Sequence, residues 1–268
     1  MAELTLNVTT VRQKLTDFIR QQVERAGLSR AVLGLSGGID SALACCLAAE
    51  ALGAQNVLAV RLPYTTSAPD SLDDAQRVID LTGVQSLTIP ITPMVEPLFE
   101  RFPDMTGVRR GNIMARTRMV ILFDQSAAFH ALVVGTGNKT EVLLGYSTIY
   151  GDSACAFNPL GDLYKTQVRQ LSQALGLPAS ILAKAPSADL WQGQTDEGDL
   201  GFTYAEVDRL LFHLVEERRT PDDCLALGFA PGLVQTVINR VRRNRFKSQL
   251  PPVPQINAHP ATEPLAFI

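Results

Sequence analysis

Hydrophobic positions repeat along the chain with two different periods. Residues 8–26 place apolar side chains three or four positions apart, and the pattern stops at Gly27, which predicts an amphipathic helix. Four short apolar runs instead predict strands, and helix-length amphipathic sequence separates each run from the next. These runs are residues 31–34, 57–60, 86–89 and 131–134. The alternation predicts an α/β fold whose parallel sheet is covered by helices on both faces.

Beyond about residue 160 the strand-like runs end and helical patterns follow. Helices are predicted over residues 165–176, 203–218 and 231–246. Residues 184–201 are rich in Ser, Gly, Asp and Gln, and we predict a long loop there. Asp196 and Glu197 are interpreted as solvated charges of that loop. We therefore expect a helical C-terminal part after the sheet.

Length and composition limit the class of protein. The 268 residues, 46% of them hydrophobic, are enough for one large core, so we expect a single domain over residues 1–250 and a Pro-rich tail over residues 251–268. The net charge of −3 argues against a broad nucleic-acid-binding face. No apolar run approaches the ~18 residues that span a bilayer, and the N-terminus lacks a signal-peptide pattern. We expect a cytoplasmic protein with no nucleic-acid partner and no membrane partner.

The most informative segment joins the first predicted strand to the next predicted helix. Residues 34–41 read Gly-Leu-Ser-Gly-Gly-Ile-Asp-Ser. Their glycines let backbone N–H groups approach an anion, and the positive end of the helix dipole faces the same point. Ser36 and Ser41 add hydroxyl donors, and Asp40 puts a carboxylate where a phosphate-bound Mg²⁺ would sit. The spacing matches neither a P-loop kinase nor a dinucleotide oxidoreductase, and a glycine-rich turn without a ligand is the alternative to a phosphate-binding loop.

A second polar loop, residues 135–141, follows the fourth predicted strand. Because the carboxyl ends of parallel strands share one edge of the sheet, this loop is predicted to face the first one. Glu141 then joins Asp40 as a ligand of Mg²⁺, or it is a helix N-terminal carboxylate favoured by the dipole. Lys165 begins a predicted helix, where a cation is poorly placed for the dipole, and this indicates a role toward phosphate.

Taken together, these motifs carry a family resemblance. The S-G-G-x-D-S loop resembles the PP-loop of the N-type ATP pyrophosphatases. The motifs G-T-G-N-K-T-E, G-Y-S-T-x-Y-G-D, D-L-Y-K-T-Q-V and P-S-A-D-L-W resemble those of ammonia-dependent NAD synthetases, and the resemblance covers residues 8–254. It implies a Rossmann-like sheet of the adenine nucleotide alpha hydrolase type. It also implies a ligase in which ATP adenylates the carboxylate of deamido-NAD and ammonia converts the acyl-adenylate into NAD and AMP, after pyrophosphate has left.

The resemblance also implies four groups of site residues. The residues implied for ATP are Gly34, Leu35, Ser36, Gly37, Gly38, Ile39, Asp40, Ser41, Arg61, Thr136, Lys165 and Ser187. The catalytic residues implied are Asp40, Lys165 and Glu141, and Asp40 and Glu141 are implied as the Mg²⁺ ligands. The residues implied for deamido-NAD are Asn112, Arg116, Ile149, Ala156, Phe246 and Lys247.

Some positions depart from the pattern of many ammonia-dependent members. Ile149 and Ala156 stand where a Lys and an Asp contact deamido-NAD in that family, and Phe246 stands where the family has a His. Residues 145–152 and 63–75 look more like the synthetase domain of glutamine-dependent enzymes. Two alternatives therefore stay open, namely the same chemistry on nicotinic acid mononucleotide and a non-catalytic adenine-nucleotide sensor.

The nitrogen source and the oligomeric state can also be predicted. A glutamine-dependent enzyme needs an amidase domain with its own Cys nucleophile, and neither the room nor a Cys precedes residue 34. Free ammonia, or ammonia from a separate glutaminase, is therefore expected. The resemblance implies a homodimer, with the apolar first helix and later helices as the expected interface.

Overall fold

The sheet contains the strands that the apolar runs predict. The protein is represented by a computed structural model that describes residues 4–187, 195–254 and 256. Strands β1 to β4 are Ala31–Gly34, Val57–Arg61, Gln85–Thr88 and Leu132–Val133. They pair in parallel in the order β3-β2-β1-β4, and Ala31 of β1 lies opposite Val57 and Leu132. Beside β4, Val134 and Phe157 form one further parallel bridge.

Helices occupy the segments between the strands and after them. Helices α1 to α6 are Val8–Arg25, Ile39–Leu52, Pro69–Thr82, Thr92–Arg101, Gly107–Phe129 and Lys139–Leu144. Helices α7 to α12 are Lys165–Ala174, Ala179–Ala183, Asp196–Leu200, Tyr204–Val215, Pro221–Ala226 and Pro231–Asn244. Short 3-10 helices cover Ala54–Asn56 and Arg245–Ser248. The three predicted C-terminal helices are therefore present as α7, α10 and α12, each slightly shorter than predicted.

Alternate residues of β1 face different layers of helices. Ala31 and Leu33 belong to the core formed with α1, α2, α3 and α7, whereas Val32 belongs to the core formed with α4 and α5. This arrangement confirms the predicted α/β fold with helices on both faces. Ile19 and Val23 of α1 are fully buried in the first core. Helix α1 therefore packs its apolar face against its own chain, and its part in a dimer interface stays a prediction.

The helical C-terminal part has a core of its own. Val207 and Leu210 of α10 and Val237 of α12 are fully buried there, together with Leu144 of α6. Tyr164, which precedes α7, joins the same core. This core therefore packs against the segments that carry the second polar loop and Lys165.

The segment predicted as one long loop, residues 184–201, is partly helical. Helix α9 covers its last turn, and the side chain of Thr195 caps α9 by accepting from the N–H of Gly198 at 3.2 Å. Asp196 is only 4% exposed, so its interpretation as a solvated charge is wrong. The burial arises because α9 packs against α10, a contact that the local composition does not reveal.

Residues 188–194, which include Trp191 and the end of the P-S-A-D-L-W motif, lie outside the described residues. Residues 255 and 257–268 of the Pro-rich tail lie outside them as well, and the division of the chain at residue 250 stays a prediction. Across the described ranges, every helix is too short or too polar to cross a membrane.

Candidate active site

The predicted phosphate-binding loop, residues 34–41, leaves β1 and enters α2 through a tight turn. Gly37 has a φ of +82°, in the left-handed region that favours glycine. A Cβ on Gly37 would lie 2.1 Å from the carbonyl oxygen of Ser71 in the first turn of α3. The turn therefore needs a glycine both for its backbone angle and for its close contact with α3. We call residues 34–41 the phosphate loop.

The hydroxyl group of Ser41 makes hydrogen bonds within the phosphate loop. The Oγ of Ser41 accepts from the N–H of Ser36 at 3.2 Å and donates to the carbonyl oxygen of Gly38 at 3.0 Å. Helix α2 begins at Ile39, and its N-cap Gly38 offers no side-chain cap. The first N–H groups of α2 and the positive end of its dipole therefore face the mouth of the loop, an arrangement that suits a phosphate anion.

Three charged side chains that the sequence predicts as catalytic meet beside this loop. The Nζ of Lys165 lies 2.5 Å from Oδ2 of Asp40 and 3.4 Å from Oε1 of Glu141, and Lys165 is 2% exposed. Burial lowers the pKa of Lys165, but Asp40 and Glu141 outweigh that effect and raise it. Burial raises the pKa of Glu141, and Lys165 opposes the rise. We call Asp40, Glu141 and Lys165 the charged cluster.

Asn138, which the sequence analysis did not single out, orients both carboxylates of the charged cluster. Its side-chain amide donates to Oδ1 of Asp40 at 2.9 Å, and its backbone N–H donates to Oε2 of Glu141 at 3.2 Å. Its Oδ1 accepts from the N–H of Glu141 at 3.0 Å, so the two residues form the capping box of α6. The N-x-x-E spacing of residues 138–141 is the signal that could have identified it.

Asp196 adds a further carboxylate near the charged cluster. The hydroxyl of Tyr204 donates to Oδ2 of Asp196 at 3.0 Å, and Nζ of Lys165 lies 5.2 Å from the centre of the Tyr204 ring. Burial raises the pKa of Asp196, and Lys165 and Tyr204 oppose the rise. Helix α10 therefore supports Lys165 and Asp196 through one aromatic side chain.

The other residues predicted for ATP lie outside the charged cluster. Arg61 ends β2, and its Nη1 donates to Oε1 of Gln76 in α3 at 2.8 Å. Thr136 lies in the loop between β4 and α6, and Ser187 is exposed at the end of the described segment after α8. Their contacts with ATP stay predictions.

Lys247, one of the residues predicted for deamido-NAD, contacts the segment that follows the C-terminal end of α6. Lys247 donates from Nζ to the carbonyl oxygens of Gly145 and Ser147, at 2.8 Å each. Lys247 therefore holds the start of residues 145–152, the segment that the sequence analysis linked to the substrate. Helix α6 joins this contact to the charged cluster, because Glu141 lies in its first turn and Gly145, which Lys247 contacts, follows its last residue.

Helix α5 holds the same segment from the other side. Nε of Arg116 donates to the carbonyl oxygen of Ile149 at 3.3 Å. The hydroxyl of Thr148 donates to Oδ1 of Asn112 at 2.7 Å. The structure thus brings together four of the predicted substrate residues, Asn112, Arg116, Ile149 and Lys247, around one loop.

The two other predicted substrate residues are surface positions. Ala156 is exposed, and its N–H donates to the carbonyl oxygen of Val133 at 2.9 Å. Phe246 lies in the last 3-10 helix and is 59% exposed. Neither side chain supplies the charge or the hydrogen-bonding group that the family resemblance implies at its position.

The donor set of the charged cluster fits Mg²⁺ bound together with a nucleotide. Asp40 and Glu141 direct one carboxylate oxygen each toward the same ammonium group. Within the described ranges, no group of three or more His, Cys, Asp or Glu side chains could hold a metal ion. Mg²⁺ typically takes one or two carboxylates together with water and substrate phosphates, so two converging carboxylates beside a phosphate loop suit it.

Comparison with known proteins places this architecture in a family. The sequence profile of the NAD synthase family matches residues 11–251. The chain belongs to the NAD synthase family. One similar member is the NH3-dependent NAD+ synthetase of Trichlorobacter lovleyi, 51% identical over 257 residues that make up 96% of this chain and 94% of that protein.

Solved structures of similar proteins agree with this NAD synthase assignment. The NH3-dependent NAD synthetase from Campylobacter jejuni, solved with a nitrate ion, has a TM-score of 0.81 and 35% identity, covering 94% of this chain and all (100%) of that one. The NMN synthetase from Francisella tularensis has a TM-score of 0.84 and 32% identity, with the same coverage of 94% and 100%. The family resemblance predicted from the sequence motifs is confirmed.

Proposed function

We propose that this NAD synthase amidates deamido-NAD to NAD with ammonia, using ATP and releasing AMP and pyrophosphate. The observation that carries this proposal is the buried charged cluster at the mouth of the phosphate loop. The relative from Trichlorobacter lovleyi, named an NH3-dependent NAD+ synthetase, supports the choice of substrates. In this reading the chain is a carboxylate–amine ligase.

The chemistry requires the carboxylate to gain a leaving group. A carboxylate is a poor electrophile, so its oxygen first attacks the α-phosphorus of ATP, which forms an acyl-adenylate and expels pyrophosphate. The lone pair of ammonia then attacks the acyl carbon, AMP leaves with the bonding electrons, and the nitrogen loses a proton. No covalent enzyme nucleophile is needed, because the main tasks are alignment of two anions and stabilisation of the departing phosphates.

The residues of the site suit these tasks. The phosphate loop and the uncapped start of α2 would bind the phosphates that leave. Lys165 keeps its positive charge because Asp40 and Glu141 raise its pKa, so it can stabilise negative charge on the pyrophosphate. Asp40 and Glu141 would hold Mg²⁺, which when bound neutralises phosphate charge.

Ammonia is the proposed nitrogen source, either free or from a separate glutaminase. The Trichlorobacter protein is described by its name as NH3-dependent, and this chain covers 94% of its length. A cytoplasmic location, where ATP and ammonium are available together, is part of the same proposal.

A second candidate is amidation of nicotinic acid mononucleotide by the same adenylation. Ile149 and Ala156 lack the charges that the family resemblance implies for contacts with the dinucleotide. The similarity to the NMN synthetase of Francisella tularensis, with a TM-score of 0.84, favours this candidate as well. The charged cluster serves both candidates, because both activate a carboxylate on a pyridine ring.

The test is a mass-spectrometric assay of the purified protein with ATP, Mg²⁺ and ammonium. Deamido-NAD and nicotinic acid mononucleotide are supplied in separate reactions at equal concentrations, and glutamine replaces ammonium in the control. NAD with an equal amount of AMP, formed from ammonium alone, supports the first proposal. The amidated mononucleotide supports the second candidate. ATP binding without either product contradicts both and favours the nucleotide sensor.

We also propose a homodimer that uses the solvent-facing side of α5. Val120 and Phe123 lie on adjoining positions of this helix surface and are 61% and 42% exposed. Exposed apolar side chains that cluster on one helix are typical of a protein–protein interface. Arg116 lies one turn before Val120, so the proposed interface borders the loop that binds the substrate in our proposal.

A further inference from the structure

A buried carboxylate on α10, Asp208, lies behind the charged cluster. It is fully buried in the helical C-terminal part. Its Oδ1 accepts from the hydroxyl of Thr140 at 2.5 Å, and its Oδ2 accepts from the backbone N–H of Thr166 at 2.8 Å. Burial raises the pKa of Asp208, and the donors Thr140 and Thr166 oppose the rise. A carboxylate kept out of water in this way is costly unless its partners compensate.

The partners of Asp208 are the chain neighbours of two members of the charged cluster. Thr140 precedes Glu141 in the first turn of α6, and Thr166 follows Lys165 in the first turn of α7. The backbone N–H of Lys165 also donates to the hydroxyl of Thr140 at 3.0 Å. These three hydrogen bonds close a ring that joins the beginnings of α6, α7 and the middle of α10.

The ring has a clear physical basis. The first turn of α7 carries N–H groups without partners in its own helix, and Asp208 accepts from one of them, that of Thr166. Through the hydroxyl of Thr140 the same carboxylate also holds the first turn of α6. Each bond in a buried ring also polarises the next, so the loss of one weakens the others.

We propose that Asp208 is a positioning residue that fixes Glu141 relative to Lys165 for adenylation. Asp208 does not reach the substrate in this proposal. It acts through Thr140 and Thr166, and so sets the distance between the Glu141 carboxylate and the Lys165 ammonium group, beside which the phosphates bind. This inference rests on the proposed ATP-dependent ligase function and adds a residue on α10 to its machinery.

The substitution Asp208→Asn weakens the ring while it keeps the size of the side chain. Asparagine offers one acceptor oxygen and one N–H2 group. If the N–H2 group faces Thr166, it meets the backbone N–H of that residue, and two donors repel each other. If it faces Thr140, the hydroxyl oxygen accepts from both the amide and the N–H of Lys165, and the O–H proton of Thr140 loses its buried acceptor. A displacement near 1 Å costs about 100-fold in rate, so we expect kcat to fall by about 10- to 100-fold.

The kinetic test compares Asp208→Asn with Asp162→Asn in the full chain. Asp162 is 93% exposed and pairs with Lys139 of α6 at 2.6 Å, so the same substitution there leaves the ring intact. Rates are expressed per folded chain, measured by circular dichroism. We expect the loss in kcat for Asp208→Asn alone, with KM for ATP unchanged to within about threefold. A wild-type kcat per folded chain in Asp208→Asn overturns the proposal, because a purely structural role changes only the folded fraction.

A second pair of variants keeps the test decisive if Asp208→Asn fails to fold. Thr140→Val removes the hydroxyl from the ring with little change of shape, whereas Thr140→Ser retains it. We expect Thr140→Val to lower kcat by about 10- to 100-fold and Thr140→Ser to restore it. Equal kcat values for the two variants overturn the proposal. Where both single variants fold, the double variant should lose less than the product of the two separate losses.

Crystal structures of the variants give a readout that does not depend on turnover. The Nζ of Lys165 lies 3.4 Å from Oε1 of Glu141, and we expect this separation to widen in Asp208→Asn or Thr140→Val but not in Asp162→Asn. An unchanged separation overturns the proposal. A wild-type protein that forms no amide product contradicts the proposed function instead, and the structural comparison still decides the role of Asp208.

Discussion

Gly37 combines a left-handed backbone with a backbone contact that excludes a larger residue. Its φ is +82°, and an added Cβ would lie 2.1 Å from the carbonyl oxygen of Ser71. Gly27 is a matched control, because its φ is +69° and an added Cβ would meet nothing within 4 Å. The comparison separates backbone strain from steric conflict.

We expect Gly27→Ala to lower the free energy of unfolding by about 1–2 kcal/mol through backbone strain alone. Gly37→Ala should lower it by more and should also weaken ATP binding, since the phosphate loop must move away from α3. Urea denaturation measures the first effect and calorimetric titration with ATP the second. Equal losses of stability together with unchanged ATP binding would contradict the role of the tight turn.

Asp40 is held by two residues of the site. It accepts from Asn138 at 2.9 Å and contacts Lys165 at 2.5 Å. Asp40→Ala removes the strongest partner of Lys165 and one proposed ligand of Mg²⁺, so we expect kcat for NAD formation to fall by about 1,000-fold. Asp104→Ala, in an exposed turn, is the control and should keep its rate. Near-normal turnover in Asp40→Ala would contradict the proposed role of Asp40 in the site.

At the scale of residues, the sequence identifies the charged residues of the site more readily than the residues that hold them in place. Asp40, Glu141 and Lys165 stand out because charged residues follow apolar strands or begin helices. Asn138 lies in a polar loop, where only its capping spacing to Glu141 marks it. Asp208 lies on the apolar face of α10 between Val207 and Leu211, so the helical period marks it as buried but does not reveal its hydrogen-bond partners.

At the scale of elements, Asp74 ties α3 to α8 behind the phosphate loop. It accepts from Ser180 at 2.6 Å and from Arg77 at 2.7 Å, and its side chain is 3% exposed. Burial favours a higher pKa, but the hydrogen bonds from Ser180 and Arg77 outweigh it, so the pKa of Asp74 lies below its usual value. The ionised form is therefore the one that joins the two helices.

This lowered pKa fixes the direction of a pH effect on stability. A carboxyl with a depressed folded-state pKa stabilises the fold fully above its unfolded pKa of about 3.9, and the contribution is lost as the pH falls through the folded value. We expect the stability difference between wild type and Asp74→Asn to shrink as the pH is lowered from 6 to below 4. Urea denaturation across this range measures it, with Asp73→Asn at the exposed neighbouring position as control. A constant difference would contradict the assigned ion pair.

Element prediction succeeds where periodicity is strong and fails where helices are short. Strands β1 and β2 are buried on both faces and read as apolar runs, whereas the edge strand β3 is exposed along its length. Helix α9 has five residues, too few for a repeat, and it depends on the cap at Thr195 and on the contact of Asp196 with Tyr204. Such a helix is stabilised by tertiary contacts that no local pattern contains.

At the scale of the whole molecule, the proposed homodimer makes a direct prediction. Val120→Asp on α5 places a charge in the proposed interface, so we expect it to shift the protein toward monomers in sedimentation velocity. Leu81→Asp is the control, because Leu81 is also an exposed apolar residue, 54% exposed, but lies on α3. A wild-type monomer, or a dimer that tolerates Val120→Asp but not Leu81→Asp, would contradict this interface.

Helix α6 is only six residues long, and isolated helices of that length are unstable in water. Its cap, Asn138, is also the residue that holds Asp40, and Thr140 in its first turn is held by Asp208. The helix cannot unwind while the charged cluster stays assembled, so local opening of α6 and disassembly of the site are one event. The exchange of α6 backbone amides with deuterated water therefore reports on whether the charged cluster is assembled, even when no reaction takes place.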